Sequence, residues 1–198
     1  MPARTKLSGK DLLLLLLYAP GLTANTCEGI SGRTRLMKMV FLFKEEIYPS
    51  VSFDKSIDFE KLPSFYSWSY GPFSRDVYSD LEFFVDIGFV EARSSEEAET
   101  PAAEAAEYSL WESELGLEDL AVSEHTQEKV ELTEKGKGYV EYSGLWCGLS
   151  ERQQDALAEF KKRLVGIPLY AILKYVYEKY PEYTEKSKIK DTVISAKH

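Results

Sequence analysis

The sequence predicts a mainly α fold of the α+β kind, and three observations predict it. Apolar residues recur at helical spacing in several long segments, such as Val77, Leu81 and Phe84, or Leu157, Phe160 and Leu164. Two short stretches, Phe89-Val90-Glu91-Ala92 and Lys129 to Thr133, have the composition of paired strands. Serine, glycine and proline fall at the ends of the helical segments, where caps and breaks belong.

In chain order, Ser8 caps a first helix over about Gly9 to Tyr18, and Pro20-Gly21 ends it. Its leucine run, Leu12 to Leu17, predicts burial on most sides. The run is far short of the ~20 residues that span a bilayer. Asp11 abuts it and Pro20-Gly21 follows it, so it does not read as a signal peptide. Residues 21–30 are expected as a loop. A second helix opens at Ser31-Gly32-Arg33-Thr34-Arg35 and runs to about Ile47, where Pro49 stops it. Leu36, Met39, Val40 and Phe43 form its apolar face, while Arg33, Arg35, Lys38 and Lys44 project elsewhere.

Residues 50–64 read as a loop with a short helix near Phe59, and 65–70 as a short strand or a packed loop. Gly71-Pro72 breaks the chain, Ser74 caps a third helix to about Ile87, and Gly88 closes it. The two strand-like stretches follow, and Glu134 to about Tyr142 forms a short helix. Ser150 caps a helix over Glu151 to Val165. Pro168 opens another over Leu169 to Tyr180, and Ser187 to Ser195 forms a last one. This order predicts a winged helix-turn-helix with a two-stranded β-wing and additional C-terminal helices. The winged-helix core takes residues 5–145, with an acidic insertion at 94–128 in the wing. Residues 146–198 are a C-terminal helical extension. Such a fold serves DNA and protein partners alike, so it implies no function by itself.

Charge narrows the choice. The chain has 198 residues and a net charge of −9. Residues 94–128 hold eleven of the 33 acidic residues and none of the 24 basic ones, so the rest of the chain carries 22 acidic and 24 basic residues. The acidity belongs to one insertion. In a winged helix the helix before the wing normally enters the major groove. Here that helix has Arg75 as its single cation beside Asp76, Asp80, Glu82 and Asp86. Helix and insertion together would repel a duplex carrying one negative charge per ~1.7 Å.

Little in the chain reads as catalytic. The histidines are His125, in the acidic insertion, and the terminal His198, so neither a hydrolase triad nor a His/Cys metal site is expected. Cys27 and Cys147 fit no metal spacing, and a reduced, cytoplasmic protein is expected. Glu159-Phe160-Lys161 has a nuclease-like spacing but reads better as a solvated helix face, as does the run Lys161-Lys162-Arg163. No enzyme, cofactor or metal is expected, nor a membrane. A protein partner is favoured, with duplex DNA second. For DNA the phosphate-binding candidates are Arg33, Arg35, Lys38 and Arg75. For a protein partner the anchors are Tyr66, Trp68, Tyr70 and Trp111, although core packing is the commoner fate of an aromatic cluster such as Phe65 to Phe73.

Three segments carry a resemblance. Gly32-Arg33-Thr34-Arg35-Leu36-Met37-Lys38-Met39-Val40-Phe41 resembles the Gly-Arg-Thr-Lys-Leu-Gln-Lys-Leu-Val-Phe segment of the YwgA-like winged-helix family. Tyr70-Gly71-Pro72-Phe73-Ser74 resembles its Tyr-Gly-Pro-Phe-Ser turn, and Leu132-Thr133-Glu134-Lys135-Gly136 its strand-closing motif. The chain is more distantly similar to the SocA-like (Panacea) antitoxin domain. The resemblance covers about residues 8–142 and implies a winged-helix, antitoxin-like or regulatory protein whose partner is a protein, such as a toxin. It implies no catalytic residue. Met37 stands where the family has glutamine, and the acidic insertion is long.

Overall fold

The computed structural model describes residues 6–68, 71–99 and 126–187, with side chains omitted from the description at 94–99 and 126–127. Helix α1, Gly9–Tyr18, is buried along Leu12 to Tyr18, as six consecutive leucines require. Ser8 and Asp11 close its N-terminus reciprocally: the Ser8 N–H donates to the Asp11 carboxylate at 2.7 Å. Strand β1, Ile30–Ser31, follows where only a loop is expected from the sequence. Two residues carry no periodicity of their own. Pairing with a strand some hundred positions later makes them a strand.

Helix α2, Arg33–Leu42, lies at the centre of the molecule, with every residue from Leu36 to Leu42 buried. It continues as a wider π-turn over Phe43–Ile47 and ends in α3, Tyr48–Ser50. Pro49 has no N–H to return to the preceding turn, so regular α geometry is lost before it. Short 3₁₀ turns occupy Phe53–Lys55 and Phe59–Lys61, the second near the predicted helix at Phe59. The aromatic stretch is a strand: β2, Tyr66–Trp68, pairs antiparallel with β3, Gly71–Phe73. Gly71 has φ +91°, and a Cβ there would lie 2.7 Å from the Tyr177 ring, so a side chain is excluded on both counts.

Helix α4, Arg75–Asp86, starts at Ser74, whose hydroxyl accepts from the Val77 N–H. Strand β4, Val90–Glu99, and β5, Thr126–Leu132, then pair antiparallel, with Ala92 opposite Val130. β1 adds to the far side of β5, with Ile30 opposite Val130, so the sheet has three strands in the order β1-β5-β4 rather than two. Helix α5, Glu134–Ser143, is capped by Thr133, which also donates to the Gly88 carbonyl at 2.7 Å and so ties both ends of the hairpin.

Helices α6, Glu151–Val165, and α7, Leu169–Lys179, follow, and a 3₁₀ turn over Pro181–Tyr183 comes after them. Leu157, Phe160, Leu164, Ile172, Leu173 and Val176 join the same buried cluster as α1 and α2, so the C-terminal helices share the core of the first half. The helix expected over Ser187 to Ser195 lies outside the described residues apart from its first. Among the described residues, no helix is long and apolar enough to cross a membrane.

Candidate partner-binding face

Helix α4 is built to show one face outward. Val77, Tyr78, Leu81 and Phe84 are buried, while Arg75, Asp76, Ser79, Phe83 and Asp86 are exposed and Asp80 and Glu82 are half-buried. The outward face therefore joins carboxylates to an aromatic ring, Phe83, 44% exposed. Lys10 of α1 grips the edge of this face: its Nζ is 3.3 Å from Asp80 and 4.6 Å from the centre of the Phe83 ring. Burial pushes the Asp80 carboxyl above its ordinary value, and the Lys10 ammonium opposes that shift.

The four DNA-contact candidates do not form one cationic surface. The Arg33 side chain is 9% exposed and forms ion pairs with Glu82 of α4 and Glu128 of β5, its Nε 2.6 Å from the latter. Its guanidinium also lies over the Tyr78 ring. Arg33 thus clamps β5 to α4. Arg35 Nη1 donates to the carbonyls of Leu164 and Ile167, at 2.5 and 2.7 Å, which satisfies the C-terminal end of α6. Lys38 is wholly buried and donates to the Pro72 carbonyl at 3.1 Å, holding β3 on α2. Arg75 alone of the four is exposed.

The proposed aromatic anchors divide similarly. Tyr66 is 40% exposed, and its ring lies edge-to-face with Trp68 and Phe73, the ring centres 5.7 and 5.5 Å apart. Trp68 is half-buried and stacks on Phe73 at 5.8 Å. Its buried Nε1 has no hydrogen-bond partner among the described residues. Phe73 itself is core, and Phe65 packs edge-on against buried Phe41 at 5.2 Å. Tyr70 and Trp111 lie outside the described residues, as does His125.

Two features escape a sequence reading. Phe83 sits off the Val77-Leu81-Phe84 stripe, and that offset is the signal that marks it as outward. Lys161, expected on a solvated face with Lys162 and Arg163, is instead wholly buried. Its Nζ donates to the carbonyls of Leu17, Ala19 and Glu28 at 3.0, 2.7 and 2.5 Å. It thereby satisfies the end of α1, where the helix carbonyls lack partners. Burial pulls its amine down to about 8, with the Glu28 carboxylate opposing the shift. No cluster of His, Cys, Asp and Glu suited to a metal ion occurs among the described residues.

Neither a protein-family model, nor a curated protein, nor a solved structure matches the chain.

Proposed function

We propose that the core is a winged helix-turn-helix and that the protein is a non-enzymatic, antitoxin-like or regulatory protein that binds a cationic protein partner. The order α1, β1, α2, α4, β4, β5 with the sheet order β1-β5-β4 supports the winged-helix reading. In that reading β4 and β5 are the wing strands and α4 is the helix a groove would receive. The observation that carries the functional reading is the orientation of charge. Asp76, Asp86 and Phe83 point outward on α4, while Arg33 and Lys38 are drawn inward. The eleven carboxylates of residues 94–128, next in the chain, have the same sign. A surface of this kind favours a basic partner and slows the approach of nucleic acid.

The alternative, a winged-helix DNA-binding regulator, would rest on Arg75 for its phosphate contacts. The two readings separate by fluorescence anisotropy with a labelled random duplex. No binding is expected even at low salt, where phosphate contacts are strongest. Duplex binding that Arg75→Ala removes would overturn the proposal. The protein should instead retain a basic polypeptide from its own source, and a Phe83→Ser/Asp86→Lys variant should fail to retain the same species. Equal retention by both would also overturn it.

A further inference from the structure

The outward face of α4 has a spacing of its own. Asp76, Ser79, Phe83 and Asp86 are all exposed, at intervals of three, four and three residues. At about 3.6 residues per turn, those intervals keep the four side chains on one narrow ridge. The ridge runs about 15 Å from Asp76 to Asp86, at about 1.5 Å per residue. It carries a carboxylate at each end, a small side chain at Ser79 and a large ring at Phe83.

The carboxylates beside the ridge are neutralised in place, and those on it are not. Lys10 of α1 pairs with Asp80 on one flank, and Arg33 pairs with Glu82 on the other. Asp76 accepts from the Ser64 N–H and hydroxyl, both at 3.4 Å. Among the described residues, neither Asp76 nor Asp86 is in an ion pair. Arg75 and Lys135 stand near the two ends, and Lys135 is engaged by the Ile87 carbonyl at 2.7 Å.

Spacing and charge together define what fits. Alternating steps of three and four residues form the seam along which two helices pack. A strand returns to one face about every 6.6 Å. The ridge steps by about 4.5, 6 and 4.5 Å, so a helix keeps register with it and a strand does not. We infer, resting on the basic-partner reading above, that the α4 ridge receives one helix of that partner, laid antiparallel, with basic residues at positions i and i+10 and large apolar residues at i+3 and i+7. The two basic residues meet Asp86 and Asp76. The apolar residue at i+3 packs on Phe83, and the one at i+7 fills the space over Ser79. The antiparallel direction also opposes the two helix dipoles favourably.

Two synthetic alanine-based helical peptides test the fit by fluorescence anisotropy against the full chain. One has Arg at i and i+10 and Leu at i+3 and i+7. The control has the same residues with the arginines at i+5 and i+12, on the opposite face of the helix. The first should bind about tenfold tighter or more at physiological salt. Asp76→Lys/Asp86→Lys should weaken that binding about tenfold or more with the circular dichroism melt retained, and a peptide with Glu in place of Arg should recover it. Equal binding of the two peptides, binding of neither, or no recovery would overturn the helix seam. So would self-association of the chain that the double variant removes, since the ridge would then belong to a second copy. Retention of the natural basic polypeptide, which involves no designed helix, fails only if the basic-partner reading fails, so the two failures are told apart.

Discussion

Helices α2 and α4 lean on the same core and handle charge in opposite ways. In α2 every residue from Leu36 to Leu42 is buried, so the helix has almost no water-facing side, and Lys38 must find its partner inside. It finds the Pro72 carbonyl, and Arg33 at the same helix's start finds two carboxylates. In α4 only the stripe of Val77, Tyr78, Leu81 and Phe84 is buried, so Asp76 and Asp86 keep the solvent while Asp80 and Glu82 pair at its edges with Lys10 and Arg33. A basic side chain on a helix is therefore a surface cation only where that helix has an outer face. This distinction leaves Arg75 as the exposed member of the four phosphate-contact candidates, and it is why the α4 face is the surface proposed above for a partner.

Removing Lys38 should break the comparison most severely. Lys38→Ala leaves a cavity and an unpaired Pro72 carbonyl, and should cost about 3 kcal/mol in a denaturant melt. A loss within about 0.5 kcal/mol, the usual range for a surface change, would place Lys38 outside.

Lys161 sharpens the same point through pH. The unfolded lysine holds its proton up to about 10.5, its ordinary value, whereas the folded one releases it near 8. Between those values the unfolded chain binds more protons, so stability rises with pH. Below 8 both forms are charged and the contribution is constant at its least favourable. Wild type compared with Lys161→Met should therefore gain on the order of 2 kcal/mol between pH 8 and 10. Tyr18, pushed up to about 12 by burial and its Glu141 hydrogen bond, acts only above that window, where it lowers stability. A flat difference between the two proteins would show that Lys161 is solvated.

The smallest effect separates the two arginines. Arg33→Ala should cost about 1–2 kcal/mol, discounted because Glu82 and Glu128 are partly solvated. Arg75→Ala should stay within about 0.5 kcal/mol. Equal losses would erase the contrast between the helices.

The sequence by itself determined the elements whose signals are local. Ser8, Ser74 and Ser150 begin their helices because a cap acts within three residues, and Gly88 ends α4 through its own backbone preference. The stripes of α4, α6 and α7 are equally legible, since periodicity is a property of one segment. Tertiary structure alone decided the rest. β1 exists because β5 lies beside it, and β2 because Pro72 and Phe73 return to Ser67 and Tyr66. Lys38 and Lys161 turn inward because carbonyls from distant segments wait there, at Pro72 for one and at Leu17, Ala19 and Glu28 for the other. A charge's environment is set by chain that is remote in sequence and near in space, so spacing within one helix cannot show it.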